Sequence, residues 1–161
     1  MTYPLLLQLS NAGVDFTCFG HPSAQDIFSA TDFCVVGDSR IRNAFWLARQ
    51  YRDEGFSNAI LCPSSLSALL PTKIARLPSV GHHFLSSHRI RHNSNVHRVE
   101  QYCALGRPFL KDVHKLSTEE GFIPINPESQ HIAKNLVKDV LDEPFIAVCP
   151  YAANLHKGQN K

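Results

Sequence analysis

The sequence predicts an α/β domain built on a mostly parallel sheet, and three observations carry that reading. Short apolar, strand-type runs alternate with amphipathic, helix-type segments along most of the 161 residues, the order that produces β–α–β units. Residues 145–149 (Phe-Ile-Ala-Val-Cys) are apolar without interruption, as in strands covered on both faces of a parallel sheet. Capping residues follow strand-type runs at once, in Asp38-Ser39 and Pro63-Ser64-Ser65, and such residues start helices.

Taken in order, residues 1–13 place Leu5, Leu6 and Leu9 at helical spacing and close on Gly13, so the chain opens within or at the start of a helix. Residues 14–19 alternate in the strand manner, with Val14, Phe16 and Cys18 on one face. His21-Pro22-Ser23 then opens a short helix, proline being tolerated in a first turn. Residues 32–36 are a second strand-type run. Asp38-Ser39 supplies the N-cap of a helix with Ile41, Ala44, Phe45, Leu47, Ala48 and Tyr51 on its apolar stripe, stopped near Gly55.

Residues 59–62 make a buried-type strand, and Ser64 and Ser65 cap a helix over 66–75 that is kinked or restarted at Pro71. Residues 80–85 read as a strand and 86–95 as a polar, basic loop. Val96, Val99, Tyr102 and Cys103 lie at helical spacing in 96–105, and Gly106 and Pro108 end that helix. No element is assigned to 111–125. Asn126-Pro127-Glu128 starts a helix reaching Leu141, with Ile132, Leu136, Val137 and Val140 facing inward, and Pro144 separates it from the strand at 145–149. The sum is a Rossmann-like layered domain whose central sheet includes 14–19, 59–62 and 145–149. In open parallel sheets ligands gather at the carboxyl ends of strands, so the loop after Cys62 and the tail 151–161 are where chemistry is expected.

A formal charge of +2 and a pI near 8.3, with basic residues scattered except between His82 and Arg98, give no nucleic-acid footprint. No apolar run approaches the ~20 residues of a membrane helix, and no basic, then apolar leader follows Met1. A cytoplasmic protein without a transmembrane segment is the expectation. Five cysteines, an odd number without a CxxC pair, argue against a disulfide framework or a standard zinc site. Cys18, Cys34, Cys62 and Cys149 sit in apolar runs and read as buried free thiols. The histidines His82, His83, His88 and His92 lack the i, i+4 pair and carboxylate of a zincin helix, so no metal is expected, and they read as part of a basic loop.

Three motifs bear on function. Ser57-Asn-Ala-Ile-Leu-Cys-Pro-Ser-Ser-Leu-Ser-Ala-Leu-Leu-Pro, continued by Ala75-Arg-Leu-Pro-Ser-Val-Gly81, sets hydroxyls and free N–H groups at a helix start, a good seat for a sugar or phosphate. On their own, Ser64 and Ser65 read more simply as helix caps. Asn95-Val-His-Arg-Val-Glu-Gln-Tyr places His97 at the start of the next helix, and Lys157-Gly-Gln-Asn-Lys161 ends the chain in a lysine.

Together, and in this order, these segments resemble glycosyltransferase family 9, the ADP-heptose:lipopolysaccharide heptosyltransferases. The first resembles that family's strand, Pro-Asn-Ser-type turn, Ser-Ala-Leu-rich helix and "Ile-Pro-x-x-Gly" turn. The second resembles its "His-x-Val-x-x-Tyr" helix, from which the chain departs after Tyr102. The third, with residues 145–153, resembles the strand and loop that begin its second domain. Lys161 there matches a lysine that approaches the donor pyrophosphate, a compact charge suited to that group.

The resemblance implies the amino-terminal, acceptor-side Rossmann-like half of a GT-B enzyme over 1–143, lacking its first strand, and the start of the donor-binding domain over 144–161. It implies transfer of heptose from ADP-heptose to the lipopolysaccharide inner core, without metal or cofactor, and peripheral contact with the inner membrane. Ser64, Ser65 and His97 become acceptor-side candidates and Lys161 the donor-side candidate. No catalytic residue is assigned, because the expected Asp, on a Gly-Asp turn after the first strand, falls upstream of residue 1, and the 161 residues alone are expected to be inactive. Two alternatives stand beside this reading: a non-catalytic α/β binding domain, and another nucleotide-sugar-dependent glycosyltransferase. The absence of GxGxxG and GxxxxGK[ST] weakens other nucleotide-handling folds.

Overall fold

The structure, a computed structural model, describes residues 2–110 and 123–137. The chain divides into two compact units, Met1–Pro124 and Ile125–Lys161. The expected boundary at 143/144 and the expected strand at 145–149 lie outside the described residues.

The first unit is mixed helix and strand with short parallel sheets, a small α/β fold. It runs α1 (Tyr3–Asn11), β1 (Thr17–Gly20), α2 (Ser23–Ile27), β2 (Cys34–Gly37), a 3-10 turn (Ser39–Arg42), α3 (Ala44–Asp53), β3 (Ala59–Leu61), α4 (Leu66–Ala75), β4 (Ser79–Gly81), β5 (His88–Arg89), α5 (Arg98–Gly106) and a 3-10 turn (Arg107–Phe109). The strands form two separate parallel ladders, β1-β2 and β3-β4-β5, where the sequence predicts one central sheet. β1 pairs Thr17 with Cys34 through Gly20 with Gly37. β3 pairs Ala59 with Ser79 through Leu61 with Gly81, and β4 pairs Val80 with His88.

Several expectations are corrected by local hydrogen bonding. Asp38 does not cap α3: its carboxylate accepts from Arg40 N at 2.7 Å and caps the 3-10 turn, while Asn43 Oδ1 accepts from Phe45 N and Trp46 N, both at 3.1 Å, and starts the helix there. With that start Leu47 and Ala48 are buried, but Phe45, expected on the apolar stripe, is 75% exposed. Pro71 neither breaks nor restarts α4, which is one helix with Pro71 and Thr72 buried inside it. The Thr72 hydroxyl donates to the Leu69 carbonyl at 2.7 Å.

The strand expected over 80–85 stops at Gly81. Ser79 N donates to Ser87 Oγ at 3.2 Å and Ser87 N donates to Ser79 Oγ at 3.4 Å, and this reciprocal pair turns the chain back within eight residues. The six residues between β4 and β5 leave no room for a helical crossover, so β5 is only two residues long.

The core is a cluster of Leu5, Leu9, Val80 and Leu105, which joins α1, α5 and β4. α3 and α4 pack on each other, helped by the Arg52 guanidinium donating to the Ile74 carbonyl. On the other side of β1, Phe19, Tyr51 and Phe56 meet edge to face at 5.3–6.3 Å, an arrangement aromatic rings favour.

In the second unit α6 spans Pro127–Val137, begun as expected at Asn126, whose side chain accepts from Glu128 N at 2.9 Å. Ile132 is 53% exposed rather than inward-facing, since among the described residues of this unit no other element covers the helix. The side chains of Leu136, Val137 and Val140 lie outside the described residues.

Candidate functional site

The parallel ladder β3-β4-β5 fixes where chain ends converge: the carboxyl ends of β3, β4 and β5 share one edge of the sheet. The Pro63–Ser65 turn follows β3, the His82–Ser87 turn follows β4, and the segment from Ile90 to His97 follows β5. Ser64 and Ser65 therefore follow the carboxyl end of β3, and His97 stands eight residues beyond β5.

Ser65 and His97 are placed by helix capping. Ser65, exposed, has extended backbone angles, and its Oγ accepts from Ala68 N at 3.4 Å and meets Ser67 Oγ at 2.9 Å. That leaves the Leu66 and Ser67 N–H groups, in the first turn of α4, without intrahelical acceptors. His97 caps α5, its Nδ1 accepting from Val99 N at 3.3 Å, with Glu100 in the first turn complementing the helix dipole. Ser64 is exposed. Lys161 lies outside the described residues.

A feature the sequence did not signal sits in the turn after β4. His82 Nδ1 bonds the Ile90 carbonyl at 3.0 Å, and its ring meets His92 edge to face at 5.6 Å. His82 Nε2 and Ser86 Oγ are buried without hydrogen-bond partners. Among the described residues no three of His, Cys, Asp and Glu are gathered to hold a metal ion. A second such feature is Asp38, which takes a bidentate contact from Arg40 at 2.6–3.2 Å. That guanidinium lies 4.7 Å above the Trp46 ring, and its hydrogen bonds hold the Asp38 carboxyl down at about 2.

A separate concavity lies away from this edge. A cavity of about 490 Å³ lies between β1 and β3, roofed by Leu5, Leu6 and Leu9 of α1, with Asp15 the single charged residue on its wall. Cys18 and Cys62 face it, and burial pushes their thiols up to about 12 and about 11, so both stay neutral and poor nucleophiles near neutral pH. Cys34, expected to be buried, is exposed.

Comparison of the chain with protein-family models, curated proteins and solved structures found no match.

Proposed function

We propose that the first unit is the acceptor-side, Rossmann-like half of a GT-B glycosyltransferase of heptosyltransferase type, with the sugar acceptor seated on the carboxyl edge of β3-β4-β5. The observation that supports this reading most is the placement of the Ser64 and Ser65 hydroxyls and the free N–H groups of the α4 start just past the carboxyl end of β3. Uncharged donors of this kind suit hydroxyls and phosphates of a sugar core.

In this reading the acceptor hydroxyl attacks the anomeric carbon of ADP-heptose, a carboxylate upstream of residue 1 takes its proton, and ADP departs with its pyrophosphate beside Lys161. The acceptor is the lipopolysaccharide inner core, reached at the cytoplasmic face of the inner membrane without a transmembrane segment. Among the described residues no helix is long and apolar enough to cross a membrane.

A transfer assay from ADP-heptose to a lipid A–Kdo acceptor tests the proposal. The 161 residues alone give no product, and a longer chain carrying the upstream Gly-Asp turn and the complete donor domain gives product that falls when Lys161 becomes Ala. An inactive longer chain removes the family reading and leaves a non-catalytic binding domain. Turnover by the 161 residues shows the catalytic groups to be misplaced.

A further inference from the structure

We infer that the turn between β4 and β5 is a membrane-docking element: the Phe84 and Leu85 side chains enter the interfacial layer of an anionic bilayer, and Arg89 and Arg91, which follow them, meet its lipid phosphates. The proposed function brings its acceptor to a membrane without naming a face. The inference rests on that reading for the partner's setting alone, and its support is the exposure and charge of the turn itself.

The backbone of the turn is pinned. Ser86 N donates to the His83 carbonyl at 3.0 Å, which makes Phe84 and Leu85 the two central residues of a β-turn. Leu85 N donates to His83 Nδ1 at 3.2 Å, and the reciprocal Ser79 and Ser87 bonds anchor the far end. Central turn positions favour Gly, Pro, Asn, Asp and Ser. Here they carry two large apolar side chains, Phe84 67% and Leu85 45% exposed. A single exposed apolar residue is ordinary, but two in succession on a turn tied in this way are held outward, away from the core.

Charge gives the second support. From Gly55 to Val99 the chain has no Asp or Glu, while Arg89, Arg91, Arg98 and His82, His83, His88, His92 and His97 lie within 82–98. All three arginines are exposed. The ion pairs among the described residues join Arg40 to Asp38 and Arg49 to Asp53 and use none of them. Gly81 pairs with Arg89, and Ile90 N donates to the Gly81 carbonyl at 3.0 Å, so the cations of β5 stand at the base of the turn.

The two observations together select the partner. A nucleic acid would use the arginines and one ring, yet it has no use for Leu85, and the His83 ring, stacked on Phe84 at 4.7 Å, already holds one face on which a base would lie. A free phosphate leaves both apolar side chains in water. A bilayer interface takes an apolar tip and a cationic collar at once. The turn follows β4, next in the ladder to β3, whose end carries Ser64 and Ser65.

Sedimentation of the 161-residue protein with sucrose-loaded vesicles tests this, comparing phosphatidylglycerol–phosphatidylcholine mixtures with phosphatidylcholine alone at about 0.1 M salt. Binding to the anionic vesicles is expected, weaker by about tenfold or more on the neutral ones. Phe84→Ser with Leu85→Ser should lower partitioning by about tenfold or more. Each arginine near an anionic surface adds about fivefold, so Arg89→Gln with Arg91→Gln should lower it by about thirtyfold. Arg42→Gln with Lys73→Gln, the same charge change elsewhere on the surface, should change it by less than about threefold. Every substituted side chain is exposed, and circular dichroism checks that each variant stays folded. If the serine pair unfolds the chain, Phe84→Trp in a Trp46→Phe background serves instead, its emission expected to shift to the blue and to be quenched by bromo-acyl lipids in the anionic vesicles. No sedimentation of the parent protein, equal sedimentation of the serine pair, or an unquenched tryptophan at position 84 overturns the inference. So does a short oligouridylate that binds through Arg89 and Arg91 while the serine pair leaves all binding unchanged. No readout involves a sugar donor, so loss of vesicle binding and loss of transfer are scored apart.

Discussion

Replacing His97 by Ala separates a capping histidine from one that serves the acceptor. Its Nδ1 accepts from Val99 N at 3.3 Å, toward the long end of the N–H···O/N range, and the residue is exposed, so the lower half of the N-cap scale applies. The loss is about 0.5–1 kcal/mol. For a folded unit of this size about 1 kcal/mol moves Tm by roughly 3–6 °C, which predicts a fall of about 2–5 °C for His97→Ala. Asn is as good a cap as any residue, so His97→Asn is expected to return Tm to within about 1 °C of the parent. The assay is thermal unfolding followed by circular dichroism at matched pH and salt. An unchanged Tm in the Ala variant, or an Asn variant as unstable as Ala, refutes the capping role. Under the proposed function, a transfer rate that stays low in His97→Asn while Tm recovers assigns the imidazole to the acceptor as well.

Leu105, with no exposed surface among Leu5, Leu9 and Val80, is expected to cost about 2–5 kcal/mol as Leu105→Ala in urea unfolding, and a loss under about 1 kcal/mol would mean the core lies elsewhere. A Cβ on Gly37 would stand 3.0 Å from the Pro22 Cα and carbonyl oxygen, backbone that cannot swing aside, so Gly37→Ala is expected to destabilise by about 1–3 kcal/mol, whereas an unchanged urea midpoint would show β2 and the α2 start to be less close. Stability should also fall at alkaline pH. The fold holds Cys18, Cys62 and Tyr51 neutral, moving the thiols from 9.0 to about 12 and about 11 and the phenol from 10.0 to about 12. Their folded values are raised, so this contribution is whole below about pH 9 and is lost as pH climbs toward 12. A denaturation midpoint no lower at about pH 10.5 than at about pH 8 would contradict it.

The helices and the parallel character were legible because their signals are local. α1, α2, α5 and the start of α6 follow from spacing, proline position and caps contained within a few residues. α3 was placed about one turn too early, because Asp38 and Asn43 are equally good caps five residues apart and both do cap something. The strand after Pro78 was overextended, since the Ser79–Ser87 bond pair that ends it joins residues whose hydroxyls carry no apolar pattern. For the candidate site, the residue types were readable, and the place of Ser64 and Ser65 after β3 followed from the strand-then-cap pattern. The His82–His92 contact and its orphaned nitrogen depend on a turn that folds back, and the cavity depends on which strands do not pair. No one-dimensional pattern records either.

The division of the strands into two ladders also has a kinetic side. With no backbone bond from Thr17–Gly20 to Ala59–Leu61, opening β1-β2 need not break any hydrogen bond of β3-β4-β5, so the two ladders can exchange their amide protons as separate cooperative blocks. The β1-β2 block, held by α2 and by rings of Tyr3, Phe16, Phe28 and Phe33, carries none of the four core-cluster residues except through its contact with α1. It is the block from which deuterium uptake would start, with the amides of Val80 and Gly81 among the last to exchange.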